Sequence, residues 1–235
     1  MKKIVGFIAV ITVLYPFVFA NTAKAENIIP ASVEKSRNIQ EYIGDIGYKI
    51  LNANKIESRM VFMYSPQSNK IDTSPELRNR QIIIYDNKIQ FANSADEIAA
   101  MLAREISKTS ESYVDGKGVV TSAQIRMAPK KYEIFFDKRA VDFMVNAGYN
   151  PLGMITYIHK TFPQKRQDKL SRSNLTSKRL ANVYEYIYTR YPYYLKNNDY
   201  LTNEVYQNFL LTSIDNRKKL QKKIKAGVRK EIKYE

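Results

Sequence analysis

Cysteine is absent from this 235-residue chain, and histidine occurs once, as His159. The missing thiols exclude disulfide scaffolds, thiol catalysis, cysteine-ligated metal sites and acylation of an N-terminal lipoprotein cysteine. The single imidazole excludes, by counting, any site that draws two histidines from one chain. Acidic groups are also short: 23 Asp and Glu face 38 Lys and Arg, a formal net charge of +15. Apolar residues are not scarce. At 44% they suffice for a buried core, so a wholly disordered chain is excluded. The length suits a single domain.

The first twenty-five residues read as a targeting segment rather than as fold. Lys2 and Lys3 form a basic start, residues 4–20 are apolar apart from Thr12 and Pro16, and Ala23-Lys24-Ala25 offers the small-x-small pattern of a signal-peptidase site. Cleavage after Ala25 is the expectation. The alternative is an uncleaved anchor, which needs about 20 spanning residues and sits poorly with Pro16. A chain beginning at Glu26 keeps 210 residues, with 35 basic against 23 acidic groups, or +12. The expected location is the periplasm or the cell exterior.

In the remainder, Ile39, Ile43, Ile46 and Ile50 recur at helical spacing and predict a helix over 31–54. Residues 59–65 read as a strand and 66–75 as a polar loop. The runs 81–85 and 88–91 flank Asp86-Asn87, which predicts a hairpin. Ser94-Ala-Asp-Glu97 is a capping box opening a helix to about Ser112. Residues 115–118 break it. Further helices are expected over 131–147, closed by Gly148, then from Pro151 to near 163, over 176–190, and over about 201–225.

In the helix opened by the capping box, Ile98, Met101 and Leu102 form an apolar stripe, and Glu105 lies at its edge. A carboxylate there needs a partner. Arg104 and Lys108 project from one side, one turn apart, and two like charges so placed repel unless anions lie between them. Glu133 and Asp137, also one turn apart on the next long helix, offer such anions.

Asp96-Glu-Ile-Ala-Ala-Met-Leu-Ala-Arg-Glu-Ile-Ser-Lys108 resembles the active-site helix of zinc metallopeptidase family forty-eight, the BepA/HtpX/Oma-like group of gluzincin type. That helix reads D-E-L-A-x-x-L-A-H-E-I-x-H. Glu133-Ile-Phe-Phe-Asp137 matches the spacing of the family's E-x-x-A-D motif, Ala147-Gly-Tyr-Asn-Pro151 resembles its A-G-Y-D-P turn, and residues 171–181, with Arg179, are similar to its S-T-H-P-S-x-x-x-R-I-A segment. The hairpin expected at 82–91 resembles the family's edge strand. The likeness runs in order over roughly residues 31–190. It implies an α+β, mainly helical minigluzincin-like domain with a small sheet or hairpin against the active-site helix. The division it implies is a signal peptide over 1–25, a metallopeptidase-like domain over 26–190, and a helical extension over 191–235, rich in tyrosine and then basic.

The departures fall on the chemistry. Paired histidines at i and i+4 hold zinc in H-E-x-x-H, and the intervening Glu polarises the metal-bound water. Here the histidine positions are Arg104 and Lys108. The general base survives as Glu105, the third ligand as Glu133, and the family's later histidine falls at Ser173. Guanidinium and ammonium groups have no lone pair to give a metal. Zinc, the family's cofactor, is therefore not expected. In the family one dication faces two carboxylates; here Arg104 and Lys108 bring two positive charges to Glu105 and Glu133. The cations are expected to stand in for the metal as internal ion pairs.

Three functional readings follow. One is an exported pseudo-peptidase with a vestigial cleft that binds a polypeptide or envelope protein, taking an extended segment along the edge Ile82, Ile83, Ile84 and Tyr85. Another is an active metalloendopeptidase with unorthodox ligands such as Glu105, Glu133, Asp137 and His159. The third is a membrane-surface protein acting through residues 216–235, whose nine Lys/Arg against two Glu give +7, with Leu220, Ile224 and Val228 in one stripe. A solvated terminus is the plainer alternative for that tail. His159 reads as a packing or surface residue. Among the tyrosines, 184, 188 and 191 have packing spacing; 186, 193, 194, 200 and 206 either pack or form an aromatic surface. No nucleic-acid motif is present, and nucleic acid is not an expected partner.

Overall fold

The structure is a computed structural model, and it describes residues 31–67, 80–112, 123–125, 127–162, 176–227 and 234. The targeting segment, most of the 66–75 loop, the 115–118 break and Ser173 lie outside those residues. The architecture is α+β and mostly helical. Helix α1 spans Ala31–Ala53, strand β1 Val61–Ser65 and strand β2 Gln81–Tyr85. A one-turn helix α2 (Asp86–Ile89) leads to α3 (Ala95–Ser112), α4 (Pro129–Asn146) and α5 (Leu152–Thr161). Then follow α6 (Thr176–Arg190), the short α7 (Tyr193–Lys196), α8 (Glu204–Thr212) and α9 (Ile214–Lys225).

α3 is the central helix. Residues 98–104 along it are all buried, and so are Ile106 and Ser107. α1, α4 and α5 pack around it, and α6 closes over α4 and α5. The capping box forms with a shift: Ser94 Oγ accepts from the Glu97 N–H at 3.2 Å, while Glu97 accepts the N–H of Asn93, not of Ser94, at 2.6 Å. α5 approaches α3 so closely that a Cβ at Gly153 would lie 2.7 Å from Asp96 Cβ. The end of α4 follows the expected pattern, with Gly148 at φ +77° just past the helix.

The hairpin is not formed. β2 pairs with β1 in parallel, Val61 opposite Gln81 through Ser65 opposite Tyr85, and the chain after Tyr85 coils into α2 instead of returning as a strand. The reason is local. Asp86-Asn87 lacks the glycine that a tight primed turn favours, and the Tyr64 hydroxyl donates to Asp86 Oδ1 at 2.6 Å, which holds the chain at the helix start. The sheet rests on α1, and α1 in turn packs on α3. Gln40 of α1 donates to the Phe62 carbonyl at 2.8 Å and accepts the Tyr64 N–H at 2.6 Å, so it covers the outer edge of β1. Gly47 makes room for Phe62, since a Cβ there would sit 2.6 Å from the ring.

Residues beyond 190 are built into the same core. Tyr200, Tyr206 and Phe209 belong to the apolar cluster that contains Ile43 and Leu102. The Tyr200 hydroxyl donates to Asp96 at 3.0 Å. Burial of Tyr200 and Tyr206 removes both from any aromatic surface, whereas Tyr188, expected to pack, is exposed. Among the described residues no helix is long and apolar enough to cross a membrane.

Candidate functional site

α3, α4 and α6 bring charged side chains together at one place. α3 presents Arg104, Glu105 and Lys108, α4 presents Glu133 and Asp137, and α6 presents Arg179. Three cations thus meet three carboxylates. Asp137 is fully buried, and Arg104 and Arg179 are nearly so, at 3% and 2% exposed.

Arg104 is the hub. Its guanidinium pairs with Glu133, donates through Nε to Asp137 Oδ1 at 2.9 Å, and lies 3.4 Å from Glu105 Oε1. Arg179 grips the same aspartate in a fork, Nε to Oδ2 at 2.7 Å and Nη2 to Oδ1 at 2.8 Å. Such two-point pairs are the strong form of the guanidinium–carboxylate bond. Burial pushes the Asp137 carboxyl up, but the charges and hydrogen bonds of Arg179 and Arg104 outweigh it and hold it below its ordinary value. Lys108 Nζ is 3.4 Å from the Glu105 oxygen that also faces Arg104, so one carboxylate lies between the two cations. The other oxygen, Glu105 Oε2, is buried without a hydrogen-bond partner.

Phe162, at the end of α5, has both guanidiniums over its ring, Arg179 at 4.4 Å and Arg104 at 5.2 Å from the centroid. Sequence reasoning gives no sign of this, because Phe162 lies outside every motif. It also misses that Asp137 and Arg179 form the anchor of the cluster; their separation of 42 positions carries no local signal.

His159 is elsewhere. It is hydrogen-bonded to Asn208 of α8 and lines a different cavity, whose wall among the described residues has no carboxylate. The ligand set of Glu105, Glu133, Asp137 and His159 is therefore not assembled. Among the described residues no group of three or more His, Asp and Glu side chains is arranged to hold a metal ion. Of the edge residues, Ile82 and Ile84 point into the core while Ile83 and Tyr85 are half-buried on the other face.

The basic tail is partly docked. Leu220 is buried, Lys223 is 2.6 Å from Glu185, and the Tyr234 hydroxyl donates to Glu185 at 2.8 Å. The apolar stripe predicted for the tail thus spends Leu220 on the protein's own interior, while Lys218, Lys222 and Lys225 stay exposed. Searches of protein-family models, curated proteins and solved structures match nothing to this chain.

Proposed function

We propose that this protein is an exported, non-catalytic relative of the family forty-eight metallopeptidases, a pseudo-peptidase whose metal is replaced by internal ion pairs and which binds an extended polypeptide. One observation carries the reading: the Arg104 guanidinium engages Glu105, Glu133 and Asp137 together, the first two at positions where the resemblance puts a general base and a zinc ligand. The residues present do not fit zinc. Arg104, Lys108 and Arg179 repel a dication, and both Asp137 oxygens are committed to guanidiniums.

Polypeptide binding rests on the sheet. Gln40 covers the outer edge of β1, and among the described residues no strand pairs with the far edge of β2. An extended segment added there would gain main-chain hydrogen bonds, with Ile83 and Tyr85 flanking it.

Two measurements test the proposal. Elemental mass spectrometry of the purified full chain, dialysed against excess zinc and then buffer, is expected to find zinc far below one per chain; stoichiometric zinc would overturn the loss of the metal. A photocrosslinker at Ile83 or Tyr85 is expected to capture an envelope polypeptide in cells. Equal capture from the buried position Ile82, or none from either site, would overturn the edge.

A second reading has one observation in its favour, the exposed Lys218, Lys222 and Lys225 of α9. With Leu220 buried, contact with anionic lipid would be mainly electrostatic. Flotation with phosphatidylglycerol vesicles, repeated after changing those three lysines to Gln, separates the readings without removing the docked tail.

A further inference from the structure

Apart from the ion-pair cluster, α5, α6, α8 and α9 enclose a concavity of about 270 Å³. His159 comes to it from α5, Asn208 and Thr212 from α8, and Asn216 from α9, with Leu180 and Phe209 as its apolar wall. Among the described residues no Asp, Glu, Lys or Arg lines it. Lys160 is turned away, 2.7 Å from Glu97, and Arg217 stays behind the wall, donating to the Leu210 carbonyl at 2.6 Å and to the hydroxyl of the lining residue Ser213 at 3.2 Å. Burial holds the His159 imidazole below its ordinary pKa against the opposing hydrogen bond to Asn208, which leaves the ring neutral at pH 7.

We propose that this pocket binds a small neutral, polyhydroxylated ring, a single monosaccharide unit. The lining selects this chemistry by exclusion and by fit. A charged ligand would give up its hydration without meeting a counter-charge among the lining side chains. A pure hydrocarbon would strip water from the imidazole and the two amides and return no hydrogen bond. Amide and hydroxyl side chains each donate and accept, and so does every sugar hydroxyl. Leu180 and Phe209 offer an apolar wall for the C–H face of the ring. The volume lies just under the roughly 300–1,000 Å³ of sites for drug-sized ligands, so it suits one ring rather than a chain.

The only histidine of the chain is a spectroscopic reporter in the wall of the pocket. The full chain is titrated with glucose and N-acetylglucosamine, and with glucuronate and glucosamine as charged counterparts, while the imidazole resonances are followed by NMR. The neutral sugars are expected to move the ring signals saturably in the millimolar range, and the charged sugars to leave them in place. Thr212→Phe, at an exposed position on the rim, is expected to weaken the response by roughly tenfold or more with an unchanged circular dichroism spectrum. Three results would each overturn the proposal: no response to either neutral sugar, an equal response to the charged ones, or full binding by a folded Thr212→Phe chain. Asn208→Leu, which keeps the volume and removes the amide, supplies a second variant if the first misfolds; undiminished binding in it counts against the site as well.

Discussion

α4 carries two aspartates a little over one turn apart, and the protein holds them in opposite ways. Asp137 is fully buried and gripped by two guanidiniums. Asp142 is about a quarter exposed and accepts from two neutral phenols, Tyr186 at 2.7 Å and Tyr191 at 2.6 Å, with Arg190 at 3.4 Å. In the first case charge meets charge away from water, and neither side has solvent to stabilise it if its partner is lost. In the second, water and hydroxyls share the solvation of one anion. Equal numbers of polar contacts therefore mean unequal dependence. A buried ion pair adds little net stability over an apolar packing, yet losing one partner strands the other.

The largest expected effect follows from that asymmetry. Asp137→Ala leaves two nearly buried guanidiniums facing each other, and a loss of about 3–5 kcal/mol is expected. For a chain of this size that is roughly 6–20 °C in melting temperature, read by circular dichroism. Arg104→Ala is expected to cost somewhat less, about 3 kcal/mol, because Arg179 still grips Asp137. A melting temperature unchanged by Arg104→Ala would remove the idea that this cation holds the helices together. Asp142→Asn keeps one carbonyl acceptor at a partly exposed site, and about 1 kcal/mol is expected. If the two aspartates cost the same, burial is not what separates them.

Titration sharpens the contrast from both ends of the pH scale. The folded-state pKa of Asp137 is depressed, so its contribution is present above the unfolded carboxyl value and is lost as pH falls through the lower folded value. The tyrosines beside Asp142 run the other way. Burial, then the hydrogen bond and charge of Asp142, raise Tyr186 well above its ordinary value, and Tyr191 is raised too. Their contribution is present below the unfolded pKa of 10 and falls as pH rises toward the folded value. Denaturant midpoints should therefore drop at the acid end in the parent chain. Above pH 10 they should drop less in Asp142→Asn, which has lost the charge that raises its tyrosines. An alkaline slope identical in parent and variant would sink that assignment.

How much of this was legible in the sequence depended on range. Helices showed where apolar spacing and caps agreed: the 176–190 helix was placed to the residue, and Gly148 closed α4 as its type implies. The order of strands was hidden. The missing glycine at Asp86-Asn87 argues against the hairpin, but nothing within residues 81–91 shows that β2 takes its partner from the preceding strand, because the residues that seat that strand, Gln40 and Gly47 of α1, lie far away in sequence. At the site, motif spacing and helical periodicity pointed to Arg104, Glu105, Lys108, Glu133 and Asp137, because those residues sit one turn apart on two helices. Arg179 was marked only by resemblance, and Phe162 not at all. Spacing reads neighbours on one helix; it does not read what a third helix brings across the core. The same limit misplaced Tyr188, whose spacing suggests packing but which is exposed, and it hid the partner of the packed Tyr200, Asp96, more than a hundred residues away.

The smallest expected effect completes the comparison, because it makes the same chemical change as Arg104→Ala beside the other aspartate. The Arg190 side chain is 61% exposed, its Nε stands 3.4 Å from Asp142, and its guanidinium lies 6.0 Å from the ring centres of Tyr186 and Tyr191. Exposed pairs of this kind gain little in high dielectric and lose side-chain freedom in forming. Arg190→Ala should leave the melting temperature within measurement error at about 0.15 M salt, because an exposed pair gains little and salt weakens it further. Any loss seen at low salt should vanish as salt is added, whereas the loss in Arg104→Ala should persist, since solvent ions do not reach a guanidinium that is 3% exposed. A salt-resistant loss in Arg190→Ala would mean that Asp142, like Asp137, is held by charge, and the two aspartates of α4 would then obey one rule.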